Sequence, residues 1–72
     1  MHTSSLYYFK IGEGEVPGGG GEYVGVDGLP VVGCGDLNKL LTFAALSRAS
    51  DFHAEHRGLY EGRILRLEFR RF

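Results

Sequence analysis

Aromatic and aliphatic residues dominate a stretch near the start of the chain, residues 6–11, LYYFKI. Aromatic and β-branched side chains of this kind favour the pleated, half-buried surface of a β-strand. A period of two places Tyr7, Phe9 and Ile11 on one face and the intervening residues on the other. We therefore predict a strand here, with the first set facing the core.

A second, shorter strand is predicted at residues 22–26, EYVGV. Gly25 weakens the pattern and is typical of a bulge, because glycine packs no side chain against its neighbours. The pairs Asp27-Gly28 and Leu29-Pro30 are turn signals. We expect the strand to end there.

From Asp36 onward the apolar residues recur at helical spacing. Asp36 suits an N-cap, because its carboxylate accepts from the unbonded N–H groups of a first helical turn. The stripe that follows is Leu37, Leu40, Leu41, Ala44 and Ala45. We predict a helix from Leu37 to Arg57, with a break near Ser50-Asp51 as one version, since both residues compete for local backbone bonds. Gly58 is expected at the C′ position in either version.

The clearest alternation is in the last stretch, GRILRLEFRRF. A period of two predicts a strand with Leu65, Leu67 and Phe69 in the core. The exposed face then carries Arg66, Glu68 and Arg70. Leu59-Tyr60 fits a short strand before it, with Glu61-Gly62 as the turn between them.

These elements predict an α+β fold in a single domain covering residues 1–72. We expect a small antiparallel sheet of three or four strands with one helix packed on one face, in the order β-β-α-β(-β). A chain this short buries only about 60% of its unfolded surface. Domains below roughly 70–80 residues usually need a disulfide, a metal or a partner chain.

The cysteine count and the absence of long apolar runs indicate a cytoplasmic protein. Cys34 is the only cysteine, which excludes an internal disulfide and fits a reducing compartment. The first residues, MHTSSLYYFKIGEGE, lack the pattern of a signal peptide. No run approaches the ~18 apolar residues of a membrane span, so no membrane partner is expected.

Charge is distributed unevenly along the chain. Residues 1–36 contain one basic and five acidic residues, whereas residues 37–72 contain seven basic and four acidic ones. The commoner interpretation is a solvated surface whose two halves attract each other. The alternative is a polar site for a partner at one end of the chain.

The glycine run at residues 18–21 does not predict a phosphate site. A P-loop needs Lys-Ser or Lys-Thr opening a helix, but here a strand pattern follows. Glu13, Glu15 and Glu22 surround the run and would repel phosphate. Residues 32–36, VGCGD, are a better anion candidate, but Asp36 occupies the helix cap, so we favour a tight turn.

The histidines and the cysteine form no complete catalytic or metal motif. His53-Ala54-Glu55 matches the His-x-Glu of zinc nucleobase deaminases, but the Pro-Cys-x-x-Cys that supplies the other ligands is absent. His53, His56 and Cys34 would give three zinc ligands where a structural site uses four. Cys34 has no predicted base beside it. We therefore predict a protein that is not an enzyme, with no cofactor, metal or small-molecule substrate.

Two binding functions remain from the sequence. The first is a protein–protein interaction module, acting on a protein partner or as a homodimer, of the accessory regulator or inhibitor kind that mobile elements or phages carry. Aromatic and arginine residues are enriched at interface hot spots. The partner-binding candidates are Leu6, Tyr8, Arg63, Arg66, Arg70 and Phe72, with Ile64 also projecting away from the helix.

The alternative is a nucleic-acid-binding module that uses the C-terminal strand. Its arginines are interleaved with Tyr60, Phe69 and Phe72, and such a surface can stack bases and pair with phosphates. Against it stand a pI of about 6.3 and the presence of Glu61 and Glu68, since dedicated nucleic-acid domains are usually strongly basic. The sequence pattern leaves both partners open.

Overall fold

The structure, a computed structural model, describes residues 5–12, 21–33 and 35–71. Within these ranges one helix packs against an antiparallel sheet of five strands. In chain order the elements are β1 (Ser5–Ile11), β2 (Glu22–Val24), β3 (Pro30–Val32), α1 (Leu46–Glu55), β4 (Leu59–Tyr60) and β5 (Arg63–Arg71). The α+β class is confirmed. The predicted count of three or four strands, and the order that went with it, are wrong because of β3.

The sheet order is β3-β2-β1-β5-β4, and every neighbouring pair is antiparallel. The two long strands, β1 and β5, lie side by side and pair from Ser5↔Arg71 to Ile11↔Leu65. The first and last described strands therefore form the centre of the sheet, which the order of elements along the chain does not reveal.

The strand β3 occupies residues that the sequence assigns to a turn. The turn itself is present: Gly25 N–H donates to the Leu29 carbonyl at 2.8 Å, and Leu29 N–H donates to Asp27 Oδ1 at 3.0 Å. The chain then returns beside β2 with Val24 opposite Pro30. Proline is tolerated here because it stands at the first residue of an edge strand.

The helix begins at Leu46, nine residues later than Leu37, where the stripe predicts it. Residues 40–43 are extended instead and lie alongside β1 and the end of β2. Tyr7 and Phe43 exchange both backbone hydrogen bonds at 2.8 Å, and Leu41 N–H donates to the Val24 carbonyl at 3.0 Å. The strand β1 pairs with β2 only at its last two residues. The extended segment therefore supplies hydrogen-bond partners for backbone groups of β1 and β2 that the two strands leave unpaired.

The capping predictions also change with the position of the helix. Asp36 caps an isolated turn, where its Oδ1 accepts from Asn38 N–H at 3.0 Å. The N-cap of α1 is Ala45, which makes no side-chain capping bond. The predicted break near Ser50-Asp51 is wrong, because α1 runs through both residues.

The helix ends in a Schellman motif. Gly58 N–H donates to the His53 carbonyl and Arg57 N–H donates to the Ala54 carbonyl, both at 3.0 Å. The C-cap is His56, so the C′ residue is Arg57, with φ of 53°, and Gly58 follows with φ of 74°. The predicted stop is correct, but Gly58 lies one position later than expected.

The core has two parts, one on each face of the sheet. The part between the sheet and the helix contains Phe9, Ile11, Val24, Ala49 and Leu65. The part on the opposite face contains Tyr8, Tyr23 and Leu40, with Val31 and Leu37 packed against it. Alternation in β1 predicts the first part correctly but misses the second, because the segment before the helix covers the other face.

Only the first of the three predicted core positions in β5 is buried. Leu65 is in the core, whereas Leu67 is 40% exposed and Phe69 is 61% exposed. The face assignment is correct, because these residues lie opposite Ile11, Phe9 and Tyr7 respectively. A ten-residue helix is about 15 Å long and a nine-residue strand about 30 Å, so α1 covers only part of β5. The predicted exposure of Glu68 is wrong as well, since it is buried.

Membrane-spanning character is not seen in α1: no helix among the described residues is both long enough and apolar enough to cross a bilayer.

Candidate functional site

The sheet has an open edge along most of β5. The strand β4 pairs with it only at Leu59↔Ile64 and Tyr60↔Arg63. The loop Glu61-Gly62 has positive φ at both residues, 53° and 78°, as the two-residue type I′ hairpin requires, and confirms the predicted turn. One further bond runs from Leu65 N–H to the Gly58 carbonyl at 2.8 Å. Beyond Leu65, no described strand pairs with this side of β5.

Hydrogen-bond alternation shows which residues of β5 point toward this edge. Gly12 N–H donates to the Ile64 carbonyl at 2.7 Å, so the backbone of Ile64 faces β1. Backbone groups alternate in direction along an antiparallel strand. Arg66, Glu68 and Arg70 therefore face β1, and the N–H and C=O groups of Leu67, Phe69 and Arg71 point outward. We call these three the open-edge residues.

Two of the open-edge residues also have exposed apolar side chains. Leu67 and Phe69 lie on the helix-covered face, beyond the part that α1 covers. The Phe69 ring contacts Tyr7 across the strands, with 6.1 Å between centroids. An exposed, apolar edge strand is a template for pairing with another chain, and proteins usually protect such edges. On the open edge of β5, outward backbone donors and acceptors lie beside exposed apolar side chains.

The predicted partner-binding residues are not all on one surface. Tyr8 is only 2% exposed and packs against Tyr23, with 5.8 Å between ring centroids. Tyr8 thus lies on the face away from the helix, as predicted, but it is a core residue there and is not exposed to a partner. Leu6 is half-buried and Ile64 is exposed. Phe72 lies outside the described residues.

Arg63 is held in an ion pair instead of being presented to a partner. Its Nη1 lies 2.6 Å from Glu22 Oε1, and its Nη2 lies 3.8 Å from Glu61 Oε2. The hydrogen bond and the positive charge of Arg63 hold the pKa of the Glu22 carboxyl below its ordinary value. The pair links β5 to β2 across the end of β1, where the stem of Arg63 lies beside Gly12.

The other C-terminal arginines do not form one patch. Arg66 and Arg70 lie on the face opposite the helix with Glu68 between them, whereas Arg71 shares the helix-covered face with Phe69. Arg63 and Arg71 are eight residues apart along a strand, which separates them by about 26 Å. Between residues 63 and 71 the arginines are therefore divided between the two faces and the two ends of β5.

His53 of the helix and the C-cap residue His56 pack in an aromatic cluster. The ring of His53 stacks on Phe9 at 5.8 Å with an interplanar angle of 11°. His56 Nδ1–H donates to the Phe52 carbonyl at 2.8 Å, which fixes the proton on that nitrogen because a carbonyl only accepts. Among the described residues no three His, Cys, Asp or Glu side chains are grouped to hold a metal ion. Cys34 and the glycine run at 18–21 lie outside those residues.

A shallow groove of about 570 Å³ lies beside the helix. Its lining includes the rings of Phe43 and Phe52 and the charged residues Arg48, Asp51 and Glu55. Thr42 lies in the same lining, which contains no histidine or cysteine.

Two charged residues are buried in the sheet, and the sequence analysis did not predict their burial. Lys10 and Glu68 are each 5% exposed, on the face opposite the helix. The Lys10 ammonium lies 5.9 Å from the centroid of the Tyr23 ring, a cation–π geometry. The sequence does show charged residues on this face of β1 and β5. Alternation alone assigns that face to solvent, so it does not predict their burial.

Comparisons of the chain with family models, with curated proteins and with solved structures gave no match. The function therefore has to be inferred from the residues of the chain itself.

Proposed function

We propose that this protein is a non-enzymatic protein-interaction module that binds a β-strand of its partner along the open edge of β5. The observation that carries the proposal is that the outward backbone groups of Leu67, Phe69 and Arg71 lie beside two exposed apolar side chains. In strand addition, main-chain hydrogen bonds supply affinity and alternate side chains supply specificity. Both ingredients are present along the same five residues, 67–71.

The composition of the surface near the edge supports a protein partner. Aromatic and arginine side chains dominate interface hot spots, and this edge presents Phe69 next to Arg70 and Arg71. On the other face Leu59 and Ile64 are also exposed. A domain of this length gains stability by covering such residues with a partner.

The biological role in this proposal is that of an accessory regulator or inhibitor of the kind that mobile elements or phages carry, which acts by occupying a surface of its target. This step rests on fold-level analogy. We place the protein in the cytoplasm, because Cys34 as the only cysteine suits a reducing compartment.

Nucleic-acid binding is the competing function, and the distribution of the arginines disfavours it. Arg63 is paired with Glu22, and Arg66 and Arg71 lie on opposite faces of β5. A labelled oligonucleotide at low salt gives the direct check by fluorescence anisotropy. Tight, salt-sensitive binding that Arg66→Glu abolishes in a folded protein would favour this function instead.

The substitution Leu67→Pro tests strand addition most sharply. Proline removes an N–H that points outward, so the bonds between β1 and β5 remain, while a docking strand loses a donor and meets the ring. We expect Leu67→Pro to fold, judged by circular dichroism, and to lose capture of the protein partners that the wild type retains.

Val26→Lys is the matched control, because Val26 is an exposed apolar residue in the loop after β2. It should retain the same partners as the wild type. Equal capture by wild type and Leu67→Pro would contradict strand addition at β5, as would loss of capture in the Val26 variant alone.

A further inference from the structure

We infer that the strand that pairs with the open edge is β5 of a second copy of this chain, in an antiparallel register centred on Phe69. This inference rests on the proposed function and names its partner. A symmetric dimer uses the same surface on both copies, so the question is whether β5 is complementary to itself, and in which register.

Backbone geometry restricts the registers to a few. Beyond Leu65, the residues of β5 with outward N–H and C=O groups are Leu67, Phe69 and Arg71, so these residues must face one another across the axis. The two-fold axis therefore passes through residue 67, 68, 69 or 70, since an axis at Arg71 would join the strands by a single outward pair of like charges. Each choice places different charged residues opposite each other.

Two of these registers bring like charges together. With the axis at Glu68, two buried carboxylates face each other and Arg66 faces Arg70 of the second copy. With the axis at Arg70, the two Arg70 side chains face each other. Like charges directly opposite in a sheet are destabilising, and more so for a carboxylate that is already 5% exposed.

The register centred on Leu67 conflicts with β4. It would pair Phe69 with Leu65 of the second copy, but Leu65 N–H already donates to the Gly58 carbonyl. Pairing there would have to displace that bond and the short strand before it.

The register centred on Phe69 satisfies every requirement. Glu68 then faces Arg70 of the second copy, and by symmetry this opposite-charge pair occurs twice. Both residues also interact within their own chain. On the other face the two Phe69 rings meet and Leu67 lies against the stem of Arg71, which covers both exposed apolar side chains. The paired residues, 67–71, end before the bond to Gly58.

Charge-reversal variants test this register directly. Arg70→Glu replaces both opposite-charge pairs with like-charge pairs, and we expect sedimentation equilibrium to show the dimer weakened at least about tenfold. Arg66→Glu changes net charge by the same amount but lies outside the paired residues 67–71, so the dimer should be held within about twofold. If either variant strengthened the dimer, the axis would lie at Glu68. If only Arg66→Glu abolished the dimer, the axis would lie at Leu67. Either result would overturn the inference.

A cysteine cross-link tests the register without altering the charged residues. In a Cys34→Ser background, Phe69→Cys brings two thiols together at a directly opposed pair, where the Cα separation of about 5.5 Å suits a disulfide. Leu67→Cys is the control, because its two copies would be four residues out of register, about 13 Å apart. We expect oxidation to cross-link the first variant and leave the second unlinked, and the reverse pattern would refute the register.

The two proposals fail differently. A chain that stays monomeric at every concentration, with Phe69→Cys unlinked, refutes self-pairing. If Leu67→Pro still abolishes capture of a protein partner in that case, the proposed function stands with a different strand at the edge.

Discussion

The glycine at the end of β2 gives the sharpest test of the folding account. A Cβ added at Gly25 would lie 2.5 Å from the Leu29 carbonyl oxygen, 2.9 Å from Val31 Cγ1 and 3.1 Å from Asp27 Oδ1. The carbonyl cannot move away without cost, because it accepts the Gly25 N–H at 2.8 Å. Gly25→Ala must therefore open the loop that returns the chain as β3.

The expected cost follows from these contacts. Overpacking of a tight site costs about 1–3 kcal/mol, and loss of the Gly25–Leu29 hydrogen bond adds about 1 kcal/mol. The sum, about 2–4 kcal/mol, compares with a total stability of about 3–5 kcal/mol for a domain of this size. Gly25→Ala should therefore leave a large fraction of the protein unfolded at room temperature.

Gly35→Ala is the matched control. A Cβ at Gly35 meets nothing within 4 Å, and its φ is not in the left-handed region. This change should be neutral or stabilising by up to about 1 kcal/mol, through the unfolded chain. Urea unfolding followed by circular dichroism measures both variants. A Gly25→Ala midpoint equal to that of the wild type would refute the tight loop and with it the third strand.

Three further changes test other parts of the structure. Arg57→Gly should raise the thermal midpoint by relieving about 1 kcal/mol of left-handed strain at the C′ position, where φ is 53°. Because Arg63 lowers the pKa of Glu22, their pair contributes stability that is present above the ordinary carboxyl pKa of 4.5 and is lost as the pH falls through the lowered value. Glu22→Gln should therefore make the urea midpoint less sensitive to acidification below pH ~4.5. Leu65→Ala should cost about 2–5 kcal/mol as a core cavity, whereas the exposed Leu67→Ala should cost less than about 1 kcal/mol in the monomer.

Local sequence patterns were sufficient to predict the strands in which the alternation of side chains is itself visible. The alternation in β1 and β5 and the Glu61-Gly62 turn are local features, and each corresponds to an element of the structure. The start of the helix could not be predicted in this way. The residues Leu40, Leu41 and Phe43 fit a helical stripe, and they fit an extended segment with apolar residues on both sides equally well. Backbone hydrogen bonds to the distant strands β1 and β2 select the extended form.

The candidate site was less accessible to sequence reasoning than the fold. The open edge exists because β1 pairs with β5 across the whole chain and β4 ends after two residues. Such non-local pairing leaves no periodic signal in the sequence. Tyr8 was assigned to a binding surface for the same reason, since nothing local shows that Leu40 covers its face.

Amide hydrogen exchange along β5 tests the central claim, that a partner strand adds to its open edge. In dilute protein, the amides of Leu67, Phe69 and Arg71 should exchange fast, whereas those of Arg66 and the other β1-facing residues should be protected by the sheet. Raising the concentration, or adding the protein partner, should slow exchange at the three outward amides and leave the inward ones unchanged. Outward amides that exchange at the same rate at every concentration and with every partner would contradict the account.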